Sequence, residues 1–228
     1  MTLSPAASSA VSFGIGGLAV VVAIGAIGLV RKANPRYTLP VALAFCSLMV
    51  LQLGLALSGV LQRWTSVPPP FLPLILFTLT VGVVGVLRWG KPVAAALSFA
   101  LVIGLQCFRL PLELFMHQAS LEGIMPVQMS YSGLNFDIVT GTSAIAVAAL
   151  AALGKAPRWL LFLWNIVGSV LLANIVVVAV AATPAFAAFG SQNLNTFVAF
   201  APFIWLPGVL VPVALMGHLL IWRKLLDR

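Results

Sequence analysis

The side chains in this sequence that could move protons or hold a ligand gather in one stretch, residues 106–137. It opens Gln106-Cys107-Phe108-Arg109-Leu110-Pro111-Leu112-Glu113 and continues through His117 and Glu122 to Asn135 and Asp137. Three of the four acids of the chain and one of its two histidines fall here. At 100° per residue, Gln106, Arg109, Glu113 and His117 occupy an arc of about 80°, with Arg109 to Glu113 and Glu113 to His117 both spaced i, i+4. One helix face therefore sets a carboxyl between two donors. Arg109 can orient Glu113 through a charge-assisted hydrogen bond. Glu113 and His117 are then candidates for acid and base on a lipid-borne or periplasmic substrate. The same stripe, closed by Asn135 and Asp137, is equally a candidate binding surface. Glu113, His117 and Asp137 could also collect a cation, but no pair has an established ligand spacing, and no metal site is assigned. The plainer alternative is an interfacial ion pair of Arg109 with Glu113, with His117 and Glu122 in water beyond it.

These residues sit in a chain of 228 residues that is 62% hydrophobic and 7% charged, a composition that belongs to a membrane-embedded protein. The net charge of +8 comes in short clusters between apolar runs, which excludes a nucleic-acid patch and marks topology instead. A spanning helix needs roughly 20 apolar residues, and seven runs meet or approach that, near 11–30, 38–61, 71–88, 92–117, 138–154, 159–183 and 200–222. The expected fold is a single all-α domain over 1–228, seven transmembrane helices with the N-terminus outside and the C-terminus in the cytoplasm. With that orientation, ten of the twelve basic residues lie inside: Arg31, Lys32, Arg36, Arg88, Lys91, Lys155, Arg158, Arg223, Lys224 and Arg228. Positive charge precedes neither the first run nor Val11, so that run reads as retained rather than as a cleaved signal. Counting the fourth helix from Lys91 puts Arg109 roughly 27 Å along the axis, at the outer edge. Pro111 clashes with the carbonyl of Cys107 and predicts a kink there. Cys46 and Cys107, in different runs, read as buried free thiols.

The other runs carry fewer signals. Five glycines in the first (Gly14, Gly16, Gly17, Gly25, Gly28) suit close helix packing. Trp164, Asn165, Ser169 and Asn174 in the sixth need partners in hydrocarbon, either neighbouring helices or a ligand. Pro202, Pro207 and Pro212 predict a kinked or partly unwound seventh helix near Trp205 to Gly208. Lys224 lies past the end of that helix, which removes a retinal Schiff base. His117 and His218 are expected at opposite faces, which removes a haem held between them. No cofactor is implied.

The strings Phe108-Arg109-Leu110-Pro111-Leu112-Glu113 and Gly133-Leu134-Asn135-Phe136-Asp137-Ile138, then Trp164-Asn165-Ile166, Asn174-Ile175-Val176, Pro202-Phe203-Ile204-Trp205-Leu206-Pro207, Pro212 and His218, resemble a family of bacterial multi-pass membrane proteins of unassigned activity. Residues 106–222 carry the likeness. Ser132 and Leu134 stand where that family has an acid and an arginine. The resemblance implies a protein of the bacterial cytoplasmic membrane in which Arg109, Glu113, Asn135, Asp137, Asn165, Asn174 and His218 belong to one design. The sequence therefore points to binding of a small molecule or lipid at an outward-facing polar site between the fourth and fifth helices. Gln106, Arg109, Glu113, His117, Asn135, Asp137, Asn165, Asn174 and Trp205 are the candidate ligand contacts. A membrane enzyme using Glu113 and His117 is the alternative, and a small-solute transporter the second alternative. Membrane lipids are the expected partners, nucleic acid is not, and oligomeric state stays open. The topology is checked with single cysteines in a cysteine-free chain: Thr65→Cys and Ser191→Cys are expected to react with an impermeant maleimide from outside intact cells, and Lys155→Cys only after lysis.

Overall fold

In a computed structural model, described for residues 6–226, the chain is all-α, with no strand among the described residues. The helices are α1 (Ser9–Ala33), α2 (Thr38–Leu57), α3 (Phe71–Ala96), α4 (Phe99–Leu105), α5 (Arg109–Leu121), α6 (Ile138–Ala152), α7 (Arg158–Ala181) and α8 (Val211–Leu226). Six stretches are long and apolar enough to cross a membrane: α1, Pro35–Leu57, α3, Phe99–Leu121, α7 and Leu206–Leu226. α6 is apolar but shorter. The chain is thus a polytopic helical membrane protein. Arg228, assigned by sequence to the inner tail, lies outside the described residues.

α8 packs on α3, α4 and α7, while α5 packs on α1 and α6. Two apolar clusters result. One gathers α1, α5 and residues 197–214 around Ile15, Leu112, Phe203 and Leu210; the other gathers Leu97, Ile103, Val147, Leu161 and Ile221. Glycine lets α5 and α6 meet backbone to backbone: a Cβ on Gly141 would lie 2.3 Å from the Leu110 nitrogen. In α1, Gly14, Gly16 and Gly25 abut Phe115, Pro202 and Leu105, whereas Gly17 and Gly28 face open space. Cys46 and Cys107 are free, but the expectation of burial fails: Cys46 is exposed on α2 and Cys107 half-buried.

The fourth span differs from its sequence reading in a way that matters. α3 does not stop at Arg88; it runs through Arg88, Lys91 and Pro92 to Ala96. Leu97 is extended, and Ser98 caps the next helix, its Oγ accepting from the Leu101 N–H at 3.3 Å. The span therefore starts at Phe99, not near 92, and Arg109 stands ten residues in, roughly 15 Å along a 23-residue stretch. It is halfway along the span, not at its edge. The kink expected from Pro111 is a tightening of Gln106–Phe108 into a 3₁₀ turn that divides α4 from α5, which relieves the carbonyl that the proline ring would strike.

α6, with 15 residues, is about 22 Å long, short of a ~30 Å hydrocarbon core. The connection before it folds in beside α5 and satisfies its own backbone: Leu134 N–H donates to Gln128 O at 3.0 Å and Asn135 N–H to Ser130 O at 3.2 Å. Gln128, Ser130 and Asn135 are buried. Such non-helical backbone is tolerated beside a membrane core where protein covers it. Before α8 the prolines act as expected: residues 201–204 form turns and Leu206–Leu210 a π-helical turn. Gln52 Nε2 donates to the Gly208 carbonyl at 3.2 Å.

Glu122, just past α5, accepts from the Ser8 N–H at 2.9 Å and from Gln118 Nε2 at 3.0 Å. The Ser8 backbone bond, helped by Gln118, holds its carboxyl below the usual carboxylate range. A depressed folded-state pKa gives a contribution present above the unfolded pKa and lost as pH falls through the folded one. Hydrogen exchange at the start of α1 is therefore expected to accelerate on acidification below the ordinary carboxylate range, and Glu122→Gln to flatten that dependence.

Candidate functional site

Gln106, Arg109 and Glu113 turn inward and meet partners from the connection before α6, from Asp137 at the start of α6 and from α8. Arg109, 1% exposed, forms a two-pronged ion pair with Asp137, which stands immediately before α6: Nε donates to Oδ2 at 2.5 Å and Nη2 to Oδ1. The pairing partner is thus Asp137, not Glu113. The reason is topological: the close α5–α6 contact at Gly141 delivers Asp137 to the guanidinium, and a planar fork matches a carboxylate with two parallel bonds.

The third bond of Arg109 goes to His218 of α8, Nη1 to Nε2 at 2.8 Å. A guanidinium can only donate, so Nε2 accepts and the imidazole proton is assigned to Nδ1, which donates to Asn165 Oδ1 at 2.8 Å. Asn165 Nδ2 returns a bond to the His218 carbonyl at 3.2 Å. The face of α7 is cut away for this ring, since a Cβ on Gly168 would lie 2.5 Å from His218 Cε1. The expectation that His218 lies near the cytoplasmic face, opposite the stripe, is therefore corrected. Leu206–Leu226 is a 21-residue stretch with His218 near its middle, level with an Arg109 that is itself halfway along its own span.

Glu113, also 1% exposed, accepts from Asn135 Nδ2 through Oε2 at 2.7 Å. Asn135 is held in turn: Nδ2 also donates to Met129 O at 3.0 Å, and Oδ1 accepts from the Asp137 N–H at 3.0 Å. Among the described residues no donor reaches Glu113 Oε1. Gln106 is fully buried and donates through Nε2 to the Ala214 carbonyl at 3.4 Å.

Three of the predicted contacts stand apart from this cluster. His117 is half-buried, stacked on Tyr131 with ring centroids 4.3 Å apart, its Nδ1 3.1 Å from Ser132 Oγ. No hydrogen bond joins it to Glu113, because one turn of α5 carries it out of the buried layer. Glu113, His117 and Asp137 consequently do not converge on a common point. Asn174 donates to the Leu134 carbonyl at 2.7 Å and braces the loop from outside. Trp205 donates to the Met49 carbonyl at 3.2 Å, toward α2. Ser169 bonds its own helix at Asn165 O and accepts from Trp222 Nε1.

Against the buried cluster lies a cavity of about 260 Å³. Its floor is α5, with Phe108, Arg109, Leu112, Glu113 and Met116; its sides are the first half of α3 (Phe71 to Leu79) and the second half of α7 (Leu172 to Thr183); Leu206 to Ala214 closes the back. The cavity is thus walled by α3 and α7, whereas the sequence reading expects a site between the fourth and fifth spans. Sequence reasoning had no route to this: Leu76, Leu172 and Leu210 carry no signal that separates cavity lining from ordinary lipid-facing or core leucine.

Comparison with family models, with curated proteins and with solved structures finds no match to this chain. The buried cluster is therefore interpreted on its own geometry. Removing one partner of a buried pair leaves an uncompensated charge, at a cost of about 3–5 kcal/mol. Asp137→Leu is expected to lower the thermal transition of the detergent-solubilised protein sharply, whereas adding Arg109→Met, which removes the second charge, is expected to recover most of the loss in a double-mutant cycle.

Proposed function

We propose that this protein binds a small amphiphile or lipid from the membrane, in the cavity floored by Arg109 and Glu113. The observation that carries the reading is the pairing of an almost wholly apolar cavity with a lining carboxyl, Glu113, whose Oε1 meets no donor among the described residues, the other lining carboxyl, Asp137, being bonded to Arg109. Pockets of this make-up, apolar walls with a few fixed polar groups, are the usual form of small-molecule sites, and an ionisable residue facing a bundle interior is a functional candidate by default. Arg109 and Asp137 neutralise one another, so Glu113 is the group free to address a ligand. The acid–base reading of Glu113 with His117 draws no support from the geometry, since Asn135 holds one and Ser132 the other.

The topology that accompanies this reading is seven crossings in a bacterial cytoplasmic membrane, N-terminus outside and C-terminus inside. The six long stretches supply six of the crossings. α6 is the remaining one, its missing length made up by the buried connection before it. Arg31, Lys32, Lys155, Arg158, Arg223 and Lys224 then fall on one side, as positive-inside asymmetry requires. Trp89 and Trp159, 55% and 66% exposed, suit the interfacial belt at that face.

Protein extracted from its own membranes is expected to carry a bound amphiphile in native mass spectrometry. Glu113→Gln is expected to lose at least nine-tenths of it while keeping the wild-type elution profile. Equal retention in the variant, or no bound species in either, would count against the reading.

A further inference from the structure

The shape and charge of the cavity say more about its occupant than that it is amphiphilic. We infer that the site takes a single-chain amphiphile, admitted sideways from the lipid between α3 and α7, whose head group donates hydrogen bonds and carries no negative charge. This rests on the binding reading above.

Size comes first. On α7 the lining runs from Leu172 to Thr183, roughly 16 Å along the axis, and on α3 from Phe71 to Leu79, about 12 Å. The volume, about 260 Å³, lies below the roughly 300–1,000 Å³ of sites for drug-sized ligands. A long, narrow space of this size suits one hydrocarbon chain and is too small for a two-chain phospholipid. The walls agree: apart from Thr183 and Asn195, they are apolar, with Ile75, Leu79, Leu172, Ile175 and Leu210 among the side chains a hydrocarbon chain would lie along.

Access follows from what flanks the opening. Leu76 and Val180, on facing sides of the cavity, are 67% and 43% exposed. Both belong to stretches long and apolar enough to cross the membrane, so the opening they border gives onto hydrocarbon, and a lipid-dissolved ligand enters without crossing water.

The floor selects the head. Arg109 spends three bonds on Asp137 and His218, and its charge is cancelled by Asp137. Glu113 Oε2 is held by Asn135, which leaves Oε1. In a low-dielectric setting a carboxylate or phosphate head would bring a further negative charge to a guanidinium that Asp137 already neutralises, and like charges at close range are strongly unfavourable there. An ammonium or hydroxyl head instead gives Oε1 the donor it lacks, the ammonium with the added strength of a charge-assisted bond.

The test uses the full chain in nanodiscs of two-chain phosphatidylcholine at neutral pH, with radiolabelled dodecylamine, 1-monododecanoylglycerol and dodecanoate as probes. The wild type is expected to bind the amine and the glyceride saturably at about one per chain and dodecanoate at least tenfold more weakly. That comparison needs no variant. Glu113→Gln is expected to weaken the amine at least tenfold. Leu76→Trp, at the exposed mouth and away from the polar cluster, is expected to block the amine and the glyceride alike. Dodecanoate binding as tightly as the amine, with Leu76→Trp still blocking, overturns the head-group inference and leaves lipid binding standing. Binding of no probe that Leu76→Trp can reduce overturns the inference and the binding reading together.

Discussion

A guanidinium halfway along a spanning stretch has to be answered by the protein, because lipid offers it nothing. Insertion scales put an arginine at the centre of a spanning helix at about 2.5–3.5 kcal/mol unfavourable, and that cost is met here by partners drawn from three separate elements. Asp137 supplies the counter-charge from the start of α6, His218 an acceptor from α8, and Asn165 fixes the imidazole from α7. Much of the architecture can be read as what these contacts demand. Gly141 lets α5 and α6 touch so that Asp137 reaches the fork, and Gly168 opens α7 to the ring of His218. The two apolar clusters lie to either side, so the polar layer is enclosed by residues such as Leu112 and Phe203 on one side and Ile103 and Ile221 on the other.

The same requirement explains the irregular backbone before α6. A helix continued from α5 to α6 with a short turn would place Asp137 beyond the bundle. The buried connection instead brings it to the level of Arg109, and Asn135 ties that connection to α5 by bonding Glu113 and Met129 O from one amide nitrogen. Glu113 is therefore a structural acceptor through Oε2, while Oε1 meets no donor among the described residues. The network is not fully satisfied: Gln106 Oε1 and Thr140 Oγ1 are buried without a partner, as is Asn195 Oδ1 on the cavity lining.

A charged layer of this kind also constrains motion. Arg109, Asp137, His218 and Asn165 join α5, α6, α7 and α8 through short bonds, while α3 reaches the cavity only with apolar side chains, from Phe71 to Leu79. The directional bonds of α3 to α8 lie at its other end, where Arg223 and Lys224 donate to the Leu87 and Ala94 carbonyls. Gln52 to Thr78, 3.4 Å, is a weak side-chain link between α2 and α3.

Composition and the apolar runs alone determined that this is an all-α membrane protein, because in lipid the backbone must bond within its own segment and few sequences are this poor in charge. That Gln106, Arg109 and Glu113 share one helix face, the kink at Pro111 and the unwinding near Trp205 to Gly208 were equally legible, since each follows from local periodicity or from proline chemistry; that the face turns inward was not. What tertiary structure alone decided was depth and partnership. The start of the fourth span hung on Ser98 capping a helix after α3 had overrun Arg88 and Lys91, a choice between neighbouring boundaries that apolarity cannot make. That shift moved Arg109 to mid-span, brought it level with His218, and exchanged its expected partner Glu113, four residues away on the same helix, for Asp137, 28 residues away in sequence. A sequence shows which side chains share a face; which of them share a bond depends on how closely two helices approach, and here a glycine at 141 set that distance.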